Sequence, residues 1–204
     1  MARLRVVSDR EAPFYVRIVY HFARRSLAKL TGREPERIIG PLEVYGHLPR
    51  LLMGYGMLEQ ATAKLHRLDR RLQALAEVKA STLTHCEYCI DISSQISRRW
   101  GMSDEELLAL PSYRTSSLFS EVDRLVMDYA VAMTRTPVEV PDELVAKLRE
   151  RLDDAQLIEL THHIALENMR NRFNVALGIG AAGFSEGMVC AVPVTVGTEG
   201  STGQ

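Results

Sequence analysis

The residues in this chain best suited to chemistry are Cys86 and Cys89, separated by Glu87 and Tyr88. Positions three apart on a helix share a face, which brings two cysteine side chains within range of a disulfide. Thr84 and His85 precede them, where one helical pattern should break and the next begin. A cysteine in a first helical turn meets unpaired backbone N–H groups and the positive end of the helix dipole, and both favour thiolate over thiol. In dithiols of this spacing the thiol pKa falls from about 8.5 to roughly 3.5–7.5, which makes a nucleophile near neutral pH. Once one sulfur has attacked a peroxide or a disulfide, its neighbour resolves the product at high effective concentration. Two blander readings stand beside this one: two helical cysteines simply buried, or half of a zinc site. A structural zinc site needs four ligands. Beyond Cys86, Cys89 and His85 the chain offers only the distant Cys190 or another histidine, and no second C-x-x-C. No metal is expected.

The rest of the composition sets the context. Three cysteines cannot form a framework of pairs, and Cys190, without a near partner, reads as a small buried apolar residue. With 25 Lys and Arg against 26 Asp and Glu, no global field steers the chain to nucleic acid or an acidic membrane. Residues 1–50 hold ten basic against five acidic residues, which reads as a solvated basic face. The first residues alternate arginine with apolar side chains rather than forming a signal peptide, and no apolar run is long enough to span a bilayer. A reducing cytoplasm is the expected compartment, where a disulfide is more often catalytic than structural. No Gly-rich phosphate loop follows a strand, so no nucleotide or flavin cofactor is expected.

The elements that must position the dithiol are helical almost throughout. Residues 14–30 keep Phe14, Ile18 and Phe22 at helical spacing, with Arg17, Arg24, Arg25 and Lys29 elsewhere. A connection over 31–49 leads to a helix at about 49–65 that begins with Pro49, where a missing N–H costs nothing. Residues 68–84 and 86–100 form the two helices flanking the Cys86 turn, and Gly101 ends the second. Ser103-Asp104-Glu105-Glu106 is a capping box for a short helix through Leu110 that Pro111 stops. Leu118, Val122, Leu125, Val126, Tyr129 and Met133 mark a long helix, and 141–152 a short one. Asp153 or Asp154 caps the last, which runs to about Leu177 before Gly178. Residues 189–196 are the one extended candidate, and 198–204 read as a loose tail. The expected architecture is all-α: an N-terminal helix and connection (1–48) packed on a helical core (49–180), followed by an irregular extension (181–204).

The run from Leu75 to Ser93, followed by Gly101-Met102-Ser103-Asp104-Glu105-Glu106, resembles the carboxymuconolactone decarboxylase-like superfamily, which includes the alkylhydroperoxidase AhpD family. The segments Glu167 to Asn174 and Gly183 to Gly187 resemble the C-terminal part of some members, so the likeness spans roughly residues 40–190. It implies a helical bundle of the AhpD type that assembles into homo-oligomers, often trimers or multiples of them. It also implies a peroxidase or related oxidoreductase in which Cys89 attacks a hydroperoxide or disulfide substrate, Cys86 resolves, and an external dithiol supplies electrons. The helix dipole alone would favour Cys86 as the more acidic thiol. The family's peroxidase motif places a glutamate twelve residues before the first cysteine and a histidine four after the second. Here those positions hold Ala74 and Ser93, so the usual proton relay is absent.

Glu77, one helical turn beyond Ala74, and His85, beside Cys86, are the candidate substitutes, as a Glu77–His85–thiol relay. Tyr88 is a candidate lining residue, Trp100 a packing residue, and His163 a possible support that has Glu167 or Arg170 within helical reach. Adjacent His162 and His163 point about 100° apart and cannot both face one site. Two other functions fit the superfamily: a lyase acting on a small lactone acid, and a non-enzymatic oligomeric module whose cysteines merely switch.

Overall fold

In the computed structural model the described residues are 3–32 and 40–193. They form nine α-helices and no strand. These are α1 (Phe14–Thr31), α2 (Gly40–Tyr45), α3 (Pro49–Thr62), α4 (Arg70–Thr84), α5 (Glu87–Arg99), α6 (Asp104–Ala109), α7 (Glu121–Thr134), α8 (Asp142–Arg149) and α9 (Asp154–Leu177). None is long and apolar enough to cross a membrane.

The bundle is organised around α4, which packs against α5, α7 and α9 and is buried at every residue from Gln73 to Thr82. One side of it, through Leu75 and Val78, meets Leu107, Tyr113 and Met127. Its opposite side, through Ala76, meets Val126, Leu160 and Ile164. A helix enclosed on all sides needs its charged groups answered. Buried Lys79 donates from Nζ to the carbonyl of Leu110 (3.1 Å) and stands 4.4 Å over the Tyr113 ring.

Helix ends follow the sequence signals closely. Asp69 caps α4, and Ser103, Ser120 and Asp153 form capping boxes on α6, α7 and α9. Gly178 ends α9 in the left-handed conformation. Leu118 falls before α7 and is exposed.

Four expectations are corrected. The connection over 31–49 contains α2, a helix too short for a periodic signal. On α1 the stripe Phe14, Ile18 and Phe22 faces outward, at 76%, 41% and 62% exposure. Val16 and Tyr20 turn inward instead, against Ala12, Tyr45 and Leu52, because Tyr20 also anchors to the Val7 carbonyl. Cys190 is exposed rather than buried. Residues 189–193 contain no strand; Ala191 is pinned to Ser94 Oγ, while 194–196 and the tail 198–204 lie outside the described residues.

Candidate active site

Helix α4 ends at His85, whose φ of 56° is left-handed, a conformation usually left to glycine or asparagine. That turn redirects the chain so that Cys86 becomes the N-cap of α5. Its Sγ accepts from the backbone N–H of Cys89 at 3.3 Å, in place of the usual hydroxyl or carboxylate. Cys86 and Cys89 are joined as a disulfide, with Cα atoms 5.2 Å apart.

Both sulfurs are enclosed. Cys86 and Cys89 are 1% and 2% exposed, among Val44 of α2, Tyr88, Ile179 and Phe184. The cover comes largely from the segment after α9, and Asp91 holds it down. Its carboxylate accepts from the backbone N–H groups of Ala182 (2.9 Å), Phe184 (3.0 Å) and Ser185 (2.6 Å). Ser185 Oγ donates in turn to the Asp91 carbonyl. Phe184, so placed, meets Tyr88 edge-on. Burial pushes the Tyr88 hydroxyl well above the ordinary phenol range, so Tyr88 lines the dithiol as a neutral ring.

A second set of buried polar and titratable groups lies between α4 and α9. Gln73, Glu77 and Ser81 recur every fourth residue on α4; Glu159, His163, Glu167 and Asn171 do so on α9. Glu77 is met by His163 at 2.9 Å and by the Gln73 amide at 3.2 Å. Burial works against the Glu77 carboxylate, but the hydrogen bond and charge of His163, helped by Arg170 and Gln73, hold its pKa below the usual range. Ser81 Oγ donates to Glu167 (2.8 Å) and lies 3.4 Å from Asn171 Oδ1. Burial raises the Glu167 pKa against the pull of Arg170, and the Glu77 charge adds to the rise. Arg170 also pairs with Glu59. The line ends at the dithiol, where Asn174 Nδ2 donates to Cys89 Sγ at 3.2 Å.

The geometry therefore redistributes the expected relay. Glu77 is joined to His163, not to His85, which is exposed and has no hydrogen-bond partner among the described residues. His163 pairs with neither Glu167 nor Arg170 on its own helix, because both are drawn to each other and to Ser81 and Glu59. His162 points away, to Thr62. Ser93 Oγ reaches only the Ile90 carbonyl of its own helix, and Ala74 lies in the apolar core. Trp100 packs partly buried under Arg70. Sequence reasoning missed Asn174, Ser81 and Asp91. The recurrence of polar residues at every fourth position on α4 was the available signal for Ser81.

Comparison with known proteins fits this architecture. Residues 47–132 match the carboxymuconolactone decarboxylase family. The chain is 35% identical over 174 residues to the uncharacterized protein YnjA of Escherichia coli, covering 83% of this chain and 91% of that one. It is 27% identical to the uncharacterized protein YdfG of Bacillus subtilis over 58% of this chain and 82% of that one. Among solved structures it is similar in fold to the debrominase Bmp8 (TM-score 0.71, 23% identity, covering 88% of this chain and 91% of that one). It is also similar to an AhpD-core, peroxidase-related protein of Ralstonia eutropha (TM-score 0.70, 17% identity, covering 88% and 92%).

Proposed function

Since this chain belongs to the carboxymuconolactone decarboxylase family, within the superfamily that includes AhpD, we propose that it is a thiol-dependent oxidoreductase cycling Cys86 and Cys89. The observation that carries this reading is a dithiol at a helix start, bonded sulfur to sulfur, with an amide donor on Cys89. The substrate is a hydroperoxide or a disulfide, and an external dithiol supplies the electrons.

In the hydroperoxide cycle the Cys89 thiolate attacks one peroxide oxygen. An S–O bond forms, the O–O bond breaks, and an alkoxide leaves and takes a proton to become the alcohol. The Cys86 thiol then attacks the sulfenic sulfur, forming the disulfide and releasing water. Two exchange steps with the external dithiol return both thiols and oxidise the donor. Glu77 and His163 form a buried pair able to share a proton, with His163 one helical turn before Glu167, on the α4–α9 face that stands in for the relay Ala74 and Ser93 cannot form. His85 shapes the turn that presents Cys86. Both sulfurs are covered, so a substrate enters by displacing the segment that Asp91 clasps.

The outward apolar stripe of α1, with exposed Leu51 and Met57 on α3, supports assembly into a homo-oligomer. Consumption of cumene hydroperoxide with dithiothreitol as donor tests the activity. Turnover that disappears in Cys89→Ser is expected, and equal turnover in that variant would overturn the assignment.

A further inference from the structure

Four buried polar atoms where α9 packs against α4 and α5 have no hydrogen-bond partner among the described residues: Glu159 Oε1, His163 Nε2, Asn171 Nδ2 and Asn174 Oδ1. The first two face each other at 4.0 Å. A buried polar atom left unpaired is costly. Their residues recur at helical spacing along one face of α9, so they form a continuous polar seam. At one end Glu159 Oε2 accepts from the Arg67 backbone N–H; at the other Asn174 reaches Cys89. The Asn171 and Asn174 atoms are a donor and an acceptor three residues apart on one helix, the kind of buried polar groups that hold water.

We propose that this seam is the proton store of the dithiol: Asn174 is a positioning residue that holds Cys89 as the thiolate, and Glu167, reached through Ser81 and water at Asn171 and Asn174, takes up and returns its proton. The second half deepens the oxidoreductase reading and rests on it. The first half does not.

An N–H donated to sulfur stabilises the charged form, just as a backbone donor stabilises a carboxylate. In the reduced protein the Cys89 S–H bond breaks and its proton passes along the seam to the Glu167 carboxylate, giving a carboxylic acid and a thiolate. When the thiolate attacks a hydroperoxide, the departing alkoxide takes that proton and Glu167 returns to carboxylate. The two electrons that cleave the O–O bond come from sulfur, and the Cys86 proton leaves with hydroxide as water. Glu167 suits this because Ser81 contacts both it and Asn171. Other titratable or charged groups on the packed elements are His85, Glu87, Tyr88 and Asp91 beside the cysteines, and Glu77 on α4. His163 and Arg170 on α9, Tyr55 and Glu59 on α3, and Glu43 on α2 lie on the other elements packed there.

The test is made on full-length protein carrying Cys190→Ser, reduced with dithiothreitol and then freed of it. Thiolate absorbance is titrated against pH in this background and in Asn174→Leu. The midpoint of the more acidic thiol is expected to rise by about one pH unit, which is about tenfold less thiolate below the midpoint. Infrared difference spectra between reduced and oxidised protein are expected to show a protonated-carboxyl band that Glu167→Gln lacks. An unchanged midpoint in folded Asn174→Leu, or a carboxyl band that persists in Glu167→Gln, overturns the proposal. If circular dichroism shows that Asn174→Leu does not fold, Asn174→Ala is titrated in its place under the same criterion. Neither readout uses a hydroperoxide. Absence of hydroperoxide turnover would therefore sink the hydroperoxide reading and the Glu167 half that rests on it, while an unshifted midpoint would sink the Asn174 half whatever the turnover.

Discussion

Glu77 Oε1 of α4 lies 2.9 Å from His163 Nδ1 of α9, 86 positions away in sequence, with both side chains buried. The contact ties α4 to α9 by an acid–base pair at the middle of the bundle. Breaking a buried pair by removing one charge costs about 3–5 kcal/mol, because the partner is left unanswered. Glu77→Gln keeps the shape and one acceptor, so a loss of about 3 kcal/mol is expected from urea unfolding at pH 7. The folded Glu77 pKa is depressed, so its contribution is present above the unfolded carboxylate value of 4.5 and is lost as pH falls through the lower folded value. Glu167 acts in the opposite sense: its raised folded pKa penalises the charged form, and the penalty eases on acidification. Stability of Glu77→Gln is thus expected to fall less steeply than wild type below pH 4.5, and parallel curves would remove the pair from the stability account.

Asp91 is the clasp on the dithiol cover. An asparagine there presents one acceptor oxygen where three N–H groups converge on a carboxylate. Asp91→Asn is expected to cost about 2 kcal/mol. It should also make the Cys86–Cys89 bond reducible by dithiothreitol several-fold faster than in wild type. An unchanged reduction rate would mean that substrates reach the sulfurs by another route.

His85 occupies a left-handed position and makes no hydrogen bond among the described residues. A side chain there costs about 1 kcal/mol relative to glycine. His85→Gly is therefore expected to keep or raise the melting temperature and to leave the pH–rate profile unchanged. A profile that loses a limb near the histidine range would return His85 to the chemistry.

Much of the fold was legible because helix boundaries are local events. Ser103, Asp153 and Gly178 act on the turn that they cap, and the structure uses each where the pattern puts it. The orientation of α1 was not legible, because Phe14, Ile18 and Phe22 form a stripe as regular as any buried one, and only tertiary packing selects Val16 and Tyr20 instead. The dithiol announced itself by spacing. Its supporting groups did not, since Glu77 and His163 meet only when α4 is laid against α9, and Cys89 and Asn174 only when α5 is.

The exposed α1 stripe gives a prediction about assembly. Phe22 is 62% exposed in the single chain, and a charge placed there leaves the monomer fold untouched. Phe22→Glu is expected to lower the mass seen in sedimentation while leaving the circular dichroism unchanged. A wild-type protein that sediments as a monomer would contradict the assembly proposal.

Cys190 and the dithiol differ in accessibility, and mass spectrometry can follow each separately. The most direct measurement uses reduced protein and one equivalent of hydroperoxide, quenched with an alkylating agent and digested. The account predicts a peptide in which Cys86 and Cys89 have lost two hydrogens and gained no label, while Cys190 is alkylated. Recovery of both Cys86 and Cys89 as alkylated thiols after exposure to the hydroperoxide would contradict it.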